Sequence, residues 1–133
     1  MGGKSVGVAG GYGSADLEKP MTTYLDRLIT RENVELKIRP EYYAAVLEGT
    51  KRFEVRLDDR DYQVGKVYWL REWVPAVARC AEGILGQDDS HYTGRSVIVV
   101  ISYVLRDVTG LASGYCVWGF HVLESRCEPG SSR

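Results

Sequence analysis

Hydrophobic and polar positions alternate most regularly over residues 52–57, where Phe53, Val55 and Leu57 interleave with Arg52, Glu54 and Arg56. Successive side chains of a strand point to opposite faces, so the apolar set is predicted to build core and the charged set to line the other face. The same alternation over residues 34–38 turns Val34, Leu36 and Ile38 inward and Glu35 and Lys37 outward. Between the two strands, Pro40 stands where a helix tolerates proline best and Gly49 supplies a left-handed stop. A helix from Pro40 to about Glu48 follows, burying Tyr43, Val46 and Leu47.

Upstream, Thr22 or Thr23 is placed to cap a short helix reaching Thr30, with Asp26 in its first turn and Tyr24, Leu25, Leu28 and Ile29 on one stripe. Such a stripe packs on the domain or on a second copy in a homodimer. Downstream, a strand is predicted over residues 66–73, and residues 96–104, apolar on both faces, read as a central, fully covered strand. A last strand is predicted over residues 115–123. Residues 74–93 break the pattern with Pro75, Gly83, Gly86 and an acidic run, as a functional lid or inserted loop does; one helical turn over residues 76–81, with Cys80 packed in it, is predicted inside.

Five strands with one or two helices, and no regular strand-helix alternation, exclude a parallel nucleotide-binding sheet and predict an α+β fold built on a small, mostly antiparallel β-barrel. Residues 1–20 are predicted to be a flexible glycine-rich tail, residues 21–126 the single domain, and residues 127–133 a frayed C-terminal tail, with Met21 a candidate natural start.

Charge narrows the partners. The formal net charge is -1, so no global positive field drives nucleic-acid binding and any such contact must be local. No apolar run approaches the roughly 20 residues that span a bilayer. Cys80, Cys116 and Cys127 are odd in number and fall in no C-x-x-C spacing, which predicts a soluble protein of the reducing cytoplasm. His91, in the irregular stretch, and His121, in the last strand, have no zinc spacing, so neither a metal nor another cofactor is expected.

Gly49, Lys51, Glu54 and Arg56 match a G-x-K-x-x-E-x-R signature, and through it the chain resembles the ASCH superfamily of PUA-like domains, proposed to bind RNA. The likeness extends over Leu36, Lys37, Ile38, Pro40, Glu41 and Tyr42, over Asp59, Arg60, Asp61, Tyr62, Val64 and Gly65, and over the Leu70, Arg71, Glu72, Trp73 run. Tyr92 to Arg95 and the late Gly110, Leu111, Gly114 and Tyr115 complete it, so that it covers roughly residues 34–124 and is similar to an ASCH-type family of phages and bacteria. The resemblance implies the PUA-like barrel, with the first strand and the signature strand sharing a cleft lined by Lys37, Lys51, Glu54 and Arg56. A salt-bridge network on a solvated sheet face produces the same alternation.

In such a cleft Arg56 suits bidentate contact with phosphate or stacking on a base, Lys51 a phosphate, and Glu54 the amino edge of a base. Tyr62, Trp73 and Tyr115 are candidate stacking platforms, each equally suited by type to core packing. RNA or a nucleotide-like ligand is therefore the expected partner. Some ASCH proteins of this size deacylate 4-acetylcytidine with a Lys, a Thr and a Glu. That resemblance implies an amidohydrolase in which Lys51 works with Glu54, but Glu54 stands where those enzymes carry the threonine. A third reading is a protein-interaction module of a mobile element, using the first helix and the 74–93 stretch. The turn of Asp59, Arg60 and Asp61 is predicted to be fixed by side-chain to backbone bonds.

Overall fold

The computed structural model describes residues 23–77 and 88–128. In chain order these form helix α1 (Tyr24–Ile29), strand β1 (Glu35–Ile38), helix α2 (Pro40–Glu48) and strands β2 (Phe53–Leu57), β3 (Val67–Val74), β4 (His91–Arg106) and β5 (Tyr115–Cys127). The strands make one sheet in the order β1-β3-β4-β5-β2. β1 runs parallel to β3, and the other pairings are antiparallel. The sheet curls until its two outer strands meet: Arg56 on β2 donates to the carbonyl of Lys37 on β1 at 2.7 Å, and Arg60, just beyond β2, donates to the carbonyl of Glu35 at 2.8 Å. The result is a half-barrel, mostly antiparallel, with two helices among the described residues, which agrees with the expected α+β class and small barrel-like sheet.

Local chemistry sets both helices. Thr23 caps α1 through a capping box, its hydroxyl accepting from the Asp26 N–H at 3.0 Å while the Asp26 carboxylate accepts from the Thr23 N–H at 2.9 Å. Arg126 of β5 pins the helix with an ion pair to Asp26 at 2.5 Å, and Ile29 is buried beneath it. Tyr24 leaves the expected stripe and is exposed. α2 starts on Pro40 and stops at Gly49, whose φ of 85° is the left-handed conformation that glycine adopts freely because it has no Cβ to clash. The carbonyl of Ala45 then accepts from the backbone N–H groups of both Thr50 and Lys51, so the chain leaves the helix with Lys51 held against its negative end. Tyr43 and Val46 are buried as expected; Leu47 faces solvent instead, beyond the edge of the buried stripe.

Inside the curl lie Leu36, Ile38, Leu70, Val97, Val99 and Ile101 and an aromatic group of Tyr62, Tyr68, Trp118 and Phe120. β4 is central, and Val97, Ile98 and Val99 are fully covered, as its two apolar faces predict. Both hairpin strands exceed their apolar stretches. His91 and Tyr92 pair with Val74 and Trp73, and Arg95 pairs with Cys127, with the Glu128 N–H donating to Gly94 at 2.8 Å. Backbone pairing between neighbours carries the strands through polar residues, so His91 is in a strand and the C-terminal region is ordered through Glu128. Ala76 and Val77 are not helical; residues 1–20, most of the 76–81 turn, Cys80 and residues 129–133 lie outside the described residues.

Below the curl, Arg106 donates to Asp58 at 2.5 Å and to the Tyr62 carbonyl at 2.7 Å. That hydrogen bond from Arg106 holds the Asp58 carboxyl below the usual carboxylate range. A depressed folded pKa contributes stability above the unfolded value, lost as pH falls through the folded one. The urea midpoint is therefore expected to drop on acidification more steeply in the wild type than in Arg106→Ala, as a pH series of unfolding curves measures.

Candidate functional site

On the signature strand the two faces are reversed from the expected arrangement. Glu54 is buried at 5% exposure and Arg56 is half-buried, while Phe53, Val55 and Leu57 face solvent. The cause is the position of β2. As the last strand of the curl, it looks inward across a seam to β1, and long side chains that can reach the unpaired edge carbonyls of β1 fill that seam better than methyl groups would. The buried carboxylate is fully paired: Glu54 Oε2 meets Lys51 Nζ at 2.7 Å and Oε1 meets Arg56 Nε at 2.9 Å. Lys51 Nζ also donates to the Phe53 carbonyl at 2.6 Å and lies 5.4 Å from the centre of the Tyr42 ring.

Of the candidate residues, Lys51, Glu54 and Arg56 thus come together. Lys37 contributes only its carbonyl to them; its side chain crosses to the outer face and sits 4.3 Å over the Trp73 ring. There it joins a ladder in which Arg71 stacks on Tyr92 at 3.8 Å, lies 4.9 Å from Trp69 and pairs with Glu35 at 2.8 Å. Tyr62 is a core residue, 1% exposed and packed 5.1 Å from Tyr68 and 5.3 Å from Trp118, so it offers no face to a ligand. Burial pushes its phenol up to about 12. Tyr115 lies on the outer face opposite Leu57, away from the seam. The charged turn is fixed largely by Arg60 reaching β1, with Asp61 accepting from Gln63 at 2.9 Å.

Beside this cluster, between the end of α2 and β5, is a cleft of about 360 Å³ lined by Val46, Leu47, Gly49, Lys51, Arg52, Phe120, His121, Val122 and Ser125. Its polar lining consists of two fixed cations, an imidazole and a hydroxyl, with no carboxylate. Arg52 bonds the Gly49 carbonyl at 3.0 Å through Nε and has no carboxylate partner among the described residues. The sequence placed Arg52 next to the signature without singling it out, and nothing local to His121 or Ser125 marked them, because β5 meets α2 only through the curl of the sheet. A larger hollow of about 670 Å³ lies under α1, with Leu25, Leu28, Val34, Val67 and Val100 among its walls. Among the described residues no group of acidic, histidine or cysteine side chains is arranged to hold a metal, and no helix is long and apolar enough to cross a membrane.

Residues 34–120 match the family model described as "Domain of unknown function (DUF3850)". The chain belongs to this family. The matched region takes in β1, α2, the signature strand and β5 as far as Phe120, so the Lys51–Glu54–Arg56 cluster lies wholly within the DUF3850 domain. The chain is also similar to the "Uncharacterized 12.9 kDa protein in GpA 3'region" of Escherichia phage P2, with 37% identity over 78 residues. That match takes in 59% of this chain and spans about half, 55%, of the phage protein.

Proposed function

We propose that this DUF3850 chain is an ASCH-type, PUA-like domain that binds RNA or a nucleotide-like ligand in the cleft beside α2. One observation carries the reading: in a chain of net charge -1, the cleft is lined by Lys51, Arg52, His121 and Ser125 and by no acidic residue. Cations and a hydroxyl suit phosphate, and the walls of Val46, Leu47, Phe120 and Val122 suit the apolar faces of a base or sugar. Its volume falls within the usual range of about 300–1,000 Å³ for small-ligand sites. Arg56, the anchor that the signature suggested, is occupied by Glu54 and by the β1 edge, which leaves Arg52 as the guanidinium free to meet an anion.

Titration with short single-stranded RNA and with mononucleotides, followed by calorimetry, tests this. Weak binding with a shallow salt dependence is expected, because few phosphate contacts release few counterions. Arg52→Ala should weaken it by about 1–3 kcal/mol. Unchanged affinity in Arg52→Ala, or no binding by the wild type, would remove the reading.

Lys51 separates binding from amidohydrolysis. A phosphate contact needs only its charge, whereas a general base needs a free lone pair, and this amine donates to both Glu54 and Phe53. Lys51→Arg keeps the charge, so ligand affinity should stay within about tenfold. Wild type should release no acetate from 4-acetylcytidine; release that Lys51→Arg abolishes would establish the enzyme instead.

A further inference from the structure

The alternation that turns Glu54 and Arg56 inward turns Phe53, Val55 and Leu57 outward, where they are 47%, 52% and 52% exposed. In register they meet Gly119, Val117 and Tyr115 of β5, and beyond these lie Tyr103 and Leu105 of β4. Tyr103, Leu105 and Tyr115 are themselves exposed. Three strands thus present an apolar face, with Lys51 Nζ 5.1 Å from the Phe53 ring at its rim and the Ser102 hydroxyl 3.4 Å from where a Cβ on Gly119 would stand, between Phe53 and Tyr103. α1 covers another part of the sheet, around Val67, Val100 and Leu123, and none of the patch residues lines the hollow beneath it.

We propose that this face is where two copies of the chain pack, sheet against sheet, in a two-fold dimer. Its area fits: the seven side chains expose on the order of 500 Å² of apolar surface, at the upper end for one patch on a soluble monomer. A standard interface buries about 800 Å² per partner, of which roughly 60% is apolar, so the patch supplies the apolar share of one. Its charge fits as well. Arg52, which also lines the cleft, is exposed beyond the Phe53 end, and Asp107 and Asp59, the latter 4.0 Å from Arg60, are exposed beyond the opposite end, where β2 and β4 stop. With the two-fold axis lying across the strands, the copies run antiparallel and the cationic end of each meets the acidic end of the other. Self-complementarity of this kind is what an isologous contact requires.

The apolar residues of this face do not line the cleft, and only Arg52 at its rim belongs to both, so Val55→Asp and Tyr103→Ser test the dimer apart from nucleotide binding. Sedimentation velocity on the full chain, whose monomer mass is 14.9 kDa, is the test. The wild type is expected to sediment at about twice the monomer mass at ~100 μM, a concentration that populates dimers of micromolar dissociation constant. Val55→Asp should raise the dissociation constant by at least about tenfold with the near-ultraviolet circular dichroism unchanged. Tyr103→Ser, on a different strand, should act the same way and serves if Val55→Asp fails to fold. Asp59→Arg should also weaken the dimer, by setting like charges against Arg52 of the second copy. A wild type monomeric at ~1 mM, or a dimer indifferent to both Val55→Asp and Tyr103→Ser, would overturn the proposal.

Discussion

Replacing Glu54 by alanine is expected to cost about 3–5 kcal/mol of folding stability, the range for removing one partner of a buried ion pair. Each oxygen of this carboxylate is taken by a different cation, and the side chains of Lys51 and Arg56 are themselves only 15% and 22% exposed. Without Glu54 both are left part-buried with no counter-charge. Neither is free to swing away without further loss, because Lys51 also holds the Phe53 carbonyl and Arg56 bridges the seam to Lys37. Glu54→Gln should be milder, since one amide oxygen still accepts from one cation while the NH₂ group faces the other. Arg56→Ala should cost less than Glu54→Ala, and the double variant less than the sum, because the two changes share one network. Urea unfolding of the wild type and the four variants decides; a Glu54→Ala cost below about 1 kcal/mol would mean that the inward face of β2 is effectively solvated.

The sequence made α2 legible because its boundaries are local chemistry: Pro40 lacks an N–H that the first helical position does not need, and Gly49 takes a left-handed φ. β4 was legible for a similar reason, since apolar residues on both faces leave only a central position. The orientation of β2 was not. Alternation separates two sets of side chains without saying which set faces in, and that depends on β2 closing the curl beside β1, a contact between strands far apart in the sheet order. The consequence for the site is direct. Glu54 and Arg56 were expected to offer charge to a ligand; instead they hold the seam together, and the cations left for a ligand include Arg52, which alternates with the same charged set but stands just before β2 begins. Tyr62 illustrates the same limit in reverse, since its charged neighbours in sequence point away from the core that its own ring fills.

Beneath the seam, Trp118→Ala is expected to be as damaging as Glu54→Ala, at about 3–5 kcal/mol. Trp118 is fully buried, and its ring meets Tyr62, Tyr68 and Phe120 with centroids 5.3, 5.6 and 5.9 Å away. Truncation would leave a cavity among three large rings that can close it only by moving strands. Trp118→Phe should behave differently. The buried indole Nε1 has no hydrogen-bond partner among the described residues, and an unpaired buried donor of this kind costs about 1–3 kcal/mol, which phenylalanine recovers while giving up part of the ring volume. The net change for Trp118→Phe should therefore lie within about 1 kcal/mol of wild type. Because Glu54 stands opposite Trp118 in the β2–β5 register, hollowing the core at this position also loosens the strand that carries the carboxylate. Urea midpoints would show the ordering; equal costs for the alanine and phenylalanine variants would mean that the indole N–H is satisfied in solution and that the ring edge, not its volume alone, holds β2 in place.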